Sequence, residues 1–296
     1  MLFNVYDPIF KLLVIRFDNT FYTVYHQLTL IFSEFGSKGL EFFMILNDAH
    51  LHAVLCPQSD FSSDFFVHNR YCACTCSHDK AEFEKTEKLA QSFPGMFVKA
   101  FGLHPQNPSM NNADFLESLL KEKRISCIGE CGFDFYTEQF KQNRPAQEEA
   151  WHFQIELAVR HSVPVVVHDR KALDLLFRDA KVLQQIPSVV FHSFAFGLRE
   201  VQSLLNHGIN AYFSFGKQIL NGNKKSIECV SQLDSDRLLL ETDAPFQTLK
   251  GESFTPAQDI LRVYEQASVL RGISIECLCE DCNKNFKKAF LLTERI

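Results

Sequence analysis

The sequence lacks three features, each of which would define a class of protein. No uninterrupted apolar stretch reaches the ~20 residues that a membrane-spanning helix requires. Acidic residues outnumber Lys and Arg by 36 to 30, so the surface as a whole does not attract a polyanion, and contact with nucleic acid needs a local basic patch. No Gly-rich turn follows the first apolar run. These absences disfavour a membrane protein, an operator-type or nucleosome-type DNA binder and an open doubly wound sheet.

The 10 cysteines do not have the spacing of a small secreted scaffold. Because the chain is too long to need disulfide bonds for stability, we expect reduced thiols and a cytoplasmic protein. Cys72, Cys74 and Cys76 alternate with other residues, which predicts three thiols on one face of a buried strand rather than a metal site. Three further cysteines at 277–282 lack a second Cys or His pair, so a zinc site is disfavoured there.

The composition is that of a globular protein, with 46% hydrophobic and 22% charged residues. Residues 1–43 have no clear role, because they lack the basic start and the small-residue cleavage site of a signal peptide. The recognisable pattern begins at Met44. We expect an N-terminal extension over 1–43, with Met44 as a hypothetical true start, and one domain over 44–296. A peptide from 1–43 in the natural protein, detected by mass spectrometry, would contradict a start at Met44.

Eight short apolar runs alternate with longer amphipathic stretches from Met44 onward. This alternation is typical of βα units around a parallel sheet. Eight units predict an α/β protein with a closed (β/α)8 TIM barrel in a single domain, a fold of about 250 residues. The predicted strands cover 44–47, 71–75, 96–101, 125–129, 163–167, 188–191, 209–214 and 237–240. The predicted helices cover 79–92, 113–123, 145–160, 171–184, 198–206, 256–270 and 275–292.

Most of these runs are followed by a histidine or an acidic residue. In a parallel barrel every strand brings its C-terminal end to the same rim, where active sites of this fold lie. Distant residues are therefore expected to converge there. They are His50, His52, His104, Glu130, His168, His192 and Asp243.

These residue types suit a pair of divalent cations. The two histidines after the first run are two positions apart on an extended segment, so both imidazoles project to one side and can bind one cation. The two oxygens of Glu130 can bridge cations about 3.5–4 Å apart, the separation used in two-metal hydrolysis. His168 and His192 would complete the shell of the second cation, and Asp243 that of the first. Mixed imidazole and carboxylate ligation favours zinc or manganese over calcium.

Each residue also has a structural alternative, because a single His that ends a strand is more often hydrogen-bonded than metal-bound. The group as a whole is different. Burying four histidines and two acids together without a cation would cost several kcal/mol. The combination therefore predicts a metal centre.

The motifs, in their order and spacing, resemble the TatD-type metal-dependent deoxyribonucleases, a family of amidohydrolase-like barrels. The resemblance covers the chain from Met44 to the C-terminal region. Its marks are NDAHLH at 47–52, GLHP at 102–105, GECGFDF at 129–135, VVVHDR at 165–170, FHSF at 191–194 and LLLETDAP at 238–245.

The resemblance implies two divalent metal ions, Mg²⁺, Mn²⁺ or Zn²⁺, and hydrolysis of phosphodiester bonds, commonly from the 3′ end of DNA. Glu130 would bridge the ions. Asp243 would take a proton from a water whose pKa the ions lower toward neutrality. The implied ligand sets are His50, His52 and Asp243 on one ion and His168 and His192 on the other.

His104 and Arg170 are the candidates for substrate binding. His104 would reach a phosphate, with a capping role as an equal alternative. Arg170 would grip a phosphate with two hydrogen bonds, with a salt bridge to a rim acid as an equal alternative. Lys217, Lys224 and Lys225 would form a small basic patch, although a solvated loop is the simpler interpretation.

Other nearby residues have supporting roles in this interpretation. Asp48 and Asp134 would orient ligand imidazoles, which usually donate their second N–H to an acid or a carbonyl. The aromatic residues at 133–136 and 194–196 would stack on bases, although core packing is the simpler account for most of them.

Three positions depart from the family pattern. Ala53 and Val54 replace a Leu-Asp pair, Ala195 and Phe196 replace small residues, and the loop at 250–254 replaces an Arg-rich loop. None of these positions is one of the six predicted ligands. The sequence therefore predicts intact catalysis, but it does not predict the choice of substrate.

Two alternatives remain open. A hydrolase of the same fold would act on another ester or amide, such as D-aminoacyl-tRNA, although Glu130 stands where many amidohydrolases carry a carbamylated lysine. A non-catalytic metal-stabilised or nucleic-acid-binding protein would not need Asp243 as a proton acceptor beside the ions. We expect DNA as the substrate, no membrane, no obligate protein partner and a monomer.

Overall fold

The computed structural model describes residues 44–292, so the hypothesis about residues 1–43 lies outside the described residues. Eight parallel strands form one sheet in which sequence neighbours are spatial neighbours, from β1 to β8. The strands are β1 (Asn47–Leu51), β2 (Cys72–Ser77), β3 (Phe97–Phe101), β4 (Cys127–Asp134), β5 (Val165–Arg170), β6 (Val189–Phe191), β7 (Ala211–Phe215) and β8 (Leu238–Leu240).

The segment that follows β8 returns to β1 and closes the sheet. The Asp243 N–H donates to the His50 carbonyl at 2.9 Å, and the His52 N–H donates to the Ala244 carbonyl at 2.7 Å. With helices between successive strands, this closure makes the described chain a single-domain (β/α)8 TIM barrel. The fold predicted from the eight apolar runs is confirmed.

Helices surround the barrel, and side-chain caps fix several of their starts. The Asp79 carboxylate accepts from the Glu82 N–H at 2.8 Å, and the Asn223 amide oxygen accepts from the Ser226 N–H at 3.2 Å. Within residues 44–292, no helix combines the length and apolar character needed to cross a bilayer. The helices are Gln58–Phe61, Asp64–His68, Lys80–Ser92, Ala113–Lys121, Glu138–Gln142, Arg144–His161, Leu173–Arg178, Ala180–Leu183, Leu198–Asn206, Lys224–Gln232, Ile260–Arg271 and Ile275–Ala289.

Three strands extend at least three residues further toward the rim than predicted. β1, β4 and β5 end at Leu51, Asp134 and Arg170, whereas the apolar runs end at 47, 129 and 167. Of the polar residues expected after these strands, His50, Glu130 and His168 lie within them, whereas His52 directly follows β1. His168, for example, pairs with Gly132 across β4 and β5.

The single helix predicted over 171–184 is wrong. The segment forms two helices, Leu173–Arg178 and Ala180–Leu183, separated at Asp179. Asp179 has non-helical backbone angles (φ −94°, ψ 10°), and its carboxylate accepts from the Trp151 indole N–H at 2.9 Å. A tertiary contact therefore accompanies the break in an otherwise helical pattern.

Small buried side chains fill the barrel interior. Cys72, Cys74 and Cys76 are all buried in this inner cluster, which confirms the prediction of one buried strand face. Phe286 of the last helix and Phe290, the residue after it, join the same cluster beside the starts of the strands. The helix thus closes the end of the barrel that lies away from the C-terminal rim.

The cysteines of the last helix do not form a metal site. Cys277 is exposed, whereas Cys279 and Cys282 are buried among apolar residues. None of the candidate metal-binding groups found among the described residues includes them.

Candidate metal centre

β1 carries a histidine pair to the C-terminal rim. The β1–β2 register shifts between Asp48 and Leu51, and both His50 and His52 are buried. Their Nε2 atoms lie 3.3 Å apart. The pair therefore presents two nitrogens to one point, as the two-residue spacing predicted.

β4 supplies the acid at the centre of the site. The β4–β5 register shifts between Gly129 and Cys131, so Glu130 lies in a bulge, a feature that re-aims side chains near active sites. Gly102 makes room for this geometry, because a Cβ at that position would lie 2.5 Å from the Glu130 carbonyl oxygen. The Glu130 carboxylate is almost fully buried among the histidines of the rim.

The first ligand group surrounds one carboxylate oxygen of Glu130. Its Oε2 lies 3.4 Å from His50 Nε2 and 3.3 Å from His52 Nε2. Asp243 Oδ1 lies 3.4 and 3.7 Å from the same two nitrogens. Asp243 follows β8 with a φ of 54°, a left-handed conformation that non-glycine residues seldom adopt outside functional sites.

The second ligand group surrounds the other oxygen. Glu130 Oε1 lies 2.8 Å from His192 Nε2 and 3.4 Å from His168 Nδ1, and these two nitrogens are 3.1 Å apart. Each oxygen of one carboxylate therefore faces its own set of imidazole nitrogens. This is the arrangement that a bridging carboxylate requires.

The donor atoms fit divalent cations in spacing and in chemistry. Neighbouring ligand atoms lie about 3.3–3.4 Å apart around a tetrahedral zinc ion and about 2.9 Å apart around a six-coordinate ion. The measured spacings are 3.3–3.7 Å in the first group and 2.8–3.4 Å in the second. The structure thus brings together all six predicted ligands.

Comparisons with known proteins agree with this site. A family model described as "TatD related DNase" matches residues 47–291. The chain belongs to the TatD family. Membership confirms the predicted family and the predicted class of activity, a metal-dependent hydrolase.

Relatives in the TatD family align over most of their length. A Pantoea ananatis protein named "3'-5' ssDNA/RNA exonuclease TatD" is 28% identical over 222 residues, covering 71% of this chain and 84% of the relative. A Danio rerio protein named "Putative deoxyribonuclease tatdn3" is 26% identical, covering 71% of this chain and 82% of the relative. The crystal structure of YJJV, a TatD homologue from Escherichia coli, shares the fold with a TM-score of 0.73 and 23% identity, covering 84% of this chain and 98% of that one.

Charges in this TatD-family site favour ionised acids beside cationic groups. Burial lowers the pKa of His50, but Glu130 and Asp243 raise it to about 10. Burial likewise lowers the pKa of His168, but Asp134 and Glu130 raise it to about 9. Burial raises the pKa of Glu130, yet the surrounding imidazoles hold it well below its usual range. Each ligand group therefore stabilises a positive charge.

The two predicted orienting acids have different roles. Asp134 Oδ2 lies 3.1 Å from His168 Nε2, so that nitrogen donates to the acid and leaves Nδ1 for the metal centre. Asp48 does not contact a ligand imidazole as predicted. Its carboxylate accepts from the Thr242 hydroxyl at 2.6 Å and from the Tyr71 hydroxyl at 3.0 Å, which ties β1 to the residue before β2 and to the segment after β8 that carries Asp243.

His104 and Arg170 both line a cavity of about 610 Å³ above the metal centre. His104 Nδ1 accepts from the Gln106 N–H at 3.1 Å, so its proton is on Nε2, which lies 3.5 Å from Glu130 Oε1. Arg170 donates to the Ser193 hydroxyl at 3.3 Å. Among the described residues no carboxylate lies within ion-pair distance of Arg170, so the alternative of a salt bridge is wrong.

The predicted basic patch is wrong at Lys217. Its side chain is fully buried, and its ammonium group bonds Glu252, Thr255 at 3.1 Å and Asp259 at 2.6 Å. Lys217 therefore anchors the loop that replaces the family's Arg-rich segment. Lys224 and Lys225 are exposed at the start of the helix Lys224–Gln232, outside the residues that line the main cavity.

Most of the predicted stacking aromatics belong to the core. Phe133 and Phe194 are buried, and Phe135 and Phe196 pack against the core. Tyr136 is 69% exposed and lines the main cavity. Of this set, only Tyr136 is exposed enough to stack on a base, and Lys171 Nζ lies over its ring, 4.8 Å from the centroid.

Sequence analysis did not predict two residues of the site. His78 follows β2, and its Nε2 lies 3.1 Å from Glu130 Oε2. Phe246 is half exposed at the cavity, with its ring edge-on to His52 at 5.1 Å between centroids. His78 had a usable signal, because it stands just after an apolar run, as the predicted ligands do.

Proposed function

We propose that the chain is a two-metal nuclease that removes nucleotides from the 3′ end of DNA. One observation supports it above all: the two oxygens of Glu130 each face a separate group of imidazoles. Two divalent cations bound there would lower the pKa of a water and offset charge on phosphoryl oxygens.

The chain's own side chains supply proton transfer and phosphate contacts. Asp243 is ionised, because His50 keeps its pKa low despite burial, so it can accept a proton. Its Oδ2 accepts from Gln247 Nε2 at 3.2 Å, which orients the carboxylate. His104 would donate from Nε2 to a phosphate oxygen, and Arg170, which lines the same cavity, would offer its guanidinium.

The cavity also suits a single strand. Tyr136 and Phe246 are the exposed aromatic residues of its lining, and stacking on such rings binds bases without sequence preference. Lys171 lies 4.8 Å from the Tyr136 ring centroid, which places a positive charge beside this platform. The name of the Pantoea ananatis relative includes RNA, so RNA belongs in the test.

The experiment uses the full chain, stripped of metal and reloaded separately with Mg²⁺, Mn²⁺ and Zn²⁺. Substrates are single-stranded DNA and RNA labelled at the 5′ end, duplex DNA and D-aminoacyl-tRNA. We expect a ladder of products shortened one nucleotide at a time, and no ladder when the last 3′ linkages are phosphorothioates. Internal cuts would contradict an exonuclease, and hydrolysis of only the aminoacyl ester would favour the alternative hydrolase.

We also propose a monomer in a reducing, cytoplasmic environment. All 10 cysteines are free thiols, and nine of them are buried. Size-exclusion chromatography with light scattering tests the monomer, and fractionation of the natural source tests the location.

A further inference from the structure

His78 lies beside the metal centre because hydrogen bonds to its backbone N–H and to its carbonyl hold it there. Its N–H donates to Glu82 Oε2 at 2.6 Å, and its carbonyl accepts from Asn112 Nδ2 at 3.3 Å. The ring is about a quarter exposed and lines the main cavity. Packing in the core therefore does not account for the presence of an imidazole here.

The hydrogen bond that His78 makes at Nδ1 determines whether its Nε2 carries a proton. His78 Nδ1 lies 3.3 Å from the Gly102 carbonyl oxygen, which can only accept, so Nδ1 carries the proton in a neutral ring. Nε2 then directs its lone pair at Glu130 Oε2, 3.1 Å away. Two lone pairs facing each other at this distance repel unless a cation lies between or beside them.

His104 is a natural comparison, since it also faces Glu130. Its Nδ1 accepts from a backbone N–H, so its Nε2 holds a proton and lies 3.5 Å from Glu130 Oε1. His104 is thus a hydrogen-bond donor that needs no cation. His78 has the opposite polarity, which is the polarity of a metal ligand.

We propose that His78 Nε2 is an additional ligand of the divalent cation on the Oε2 side of Glu130, shared with His52. The donor atoms of His52, His78 and Glu130 all lie within 4.8 Å of one another. This inference rests on the proposed two-metal function and adds a ligand to it.

A further imidazole has a consequence for metal choice. With His50 and His52, it gives this cation three nitrogen donors. Imidazole suits zinc, whereas Mg²⁺ prefers oxygen ligands and retains several waters. We therefore expect this position to bind zinc or a similar ion more tightly than Mg²⁺. Removal of His78 should reduce this difference in affinity.

The test is metal binding to the stripped full chain, by titration calorimetry with Zn²⁺ in competition with a chelator. His78→Ala should weaken one of two zinc equivalents about 10- to 100-fold and leave the other unchanged. His78→Asn is the second variant, and both are checked for wild-type melting without metal. His207→Ala is the control, because His207 is exposed and its Nδ1 bonds only the local Ser203 carbonyl, at 2.7 Å.

Cobalt substitution provides a second readout that does not depend on activity. The visible spectrum of the Co²⁺ protein should change in both His78 variants and remain unchanged in His207→Ala. Unchanged zinc affinity and an unchanged spectrum would overturn the proposal, as would a raised KM for DNA with intact metal binding. Wild-type protein that binds only one cation would contradict the two-metal function instead. In that case, the effect of His78→Ala on the affinity for that single cation would test the proposal.

Discussion

Replacing Glu130 with Gln should reduce the number of tightly bound cations from two to at most one. The substitution keeps the shape of the side chain but exchanges one oxygen for an NH2 group. An NH2 group cannot ligate a cation, so only one ligand group keeps an oxygen donor from this position. The ligand group that faces the NH2 group receives no donor atom from position 130.

The remaining cation should also bind more weakly. A unit negative charge about 4 Å from a unit positive charge contributes roughly 4 kcal/mol at an effective dielectric constant of 20. The amide carbonyl recovers part of this attraction as a ligand. We therefore expect a loss of about 10²-fold in affinity, equivalent to roughly 2.7 kcal/mol.

The assay measures zinc per chain by mass spectrometry after desalting, and affinity by competition with a chelator. Glu228→Gln is the matched control, because Glu228 is exposed on the helix Lys224–Gln232. Circular dichroism checks that the variant folds. Retention of two zinc ions with wild-type affinity would refute the bridging role of Glu130 and the geometric reasoning behind it.

The remaining predictions concern the proton acceptor, the second ion and the buried lysine. Asp243→Asn should keep the fold and lower turnover on labelled DNA at least ~10²-fold; unchanged turnover would remove Asp243 from the mechanism. His168→Ala and His192→Ala should weaken the ion on the Oε1 side more than the other, and equal loss of both in a zinc titration would contradict that assignment. Lys217→Met should lower the urea concentration at the midpoint of unfolding, because it removes the buried ammonium group between Glu252 and Asp259 and, among the described residues, leaves only Arg262 to pair with them. The hydrogen bond from Lys217 lowers the pKa of Glu252 to about 2, so this stabilisation is present at neutral pH and should fade as pH falls from about 4 toward 2. A urea curve like that of the wild type would contradict it.

The fold was predictable because its signal is local and repeated eight times. Each strand is a short apolar run, and most runs are followed by a histidine or an acidic residue at the rim. The break at Asp179 was not predictable in this way, since its carboxylate bonds Trp151, which lies 28 residues earlier. A periodic pattern contains no information about such a partner.

The convergence of the six proposed ligands was predictable for a geometric reason, because parallel strands bring their C-terminal ends together whatever their separation in sequence. His78 was missed because the predicted strand ended at 75, whereas β2 continues to Ser77 and places the next residue on the rim. Lys217 was misassigned because its acidic partners lie 35 and 42 residues later. Exposure is the usual state of a lysine, and only tertiary structure reveals a buried pair.

The electrostatics of the site support the proposed pair of cations. Burial alone would lower the pKa of every imidazole there. Yet the pKa is raised for one imidazole in each ligand group, His50 to about 10 and His168 to about 9. The acids responsible differ, since Asp243 acts with Glu130 on the first and Asp134 acts with Glu130 on the second. Glu130 acts on both imidazoles, and each ligand group adds an acid of its own, so negative charge is available on both sides of the carboxylate that we propose bridges two cations.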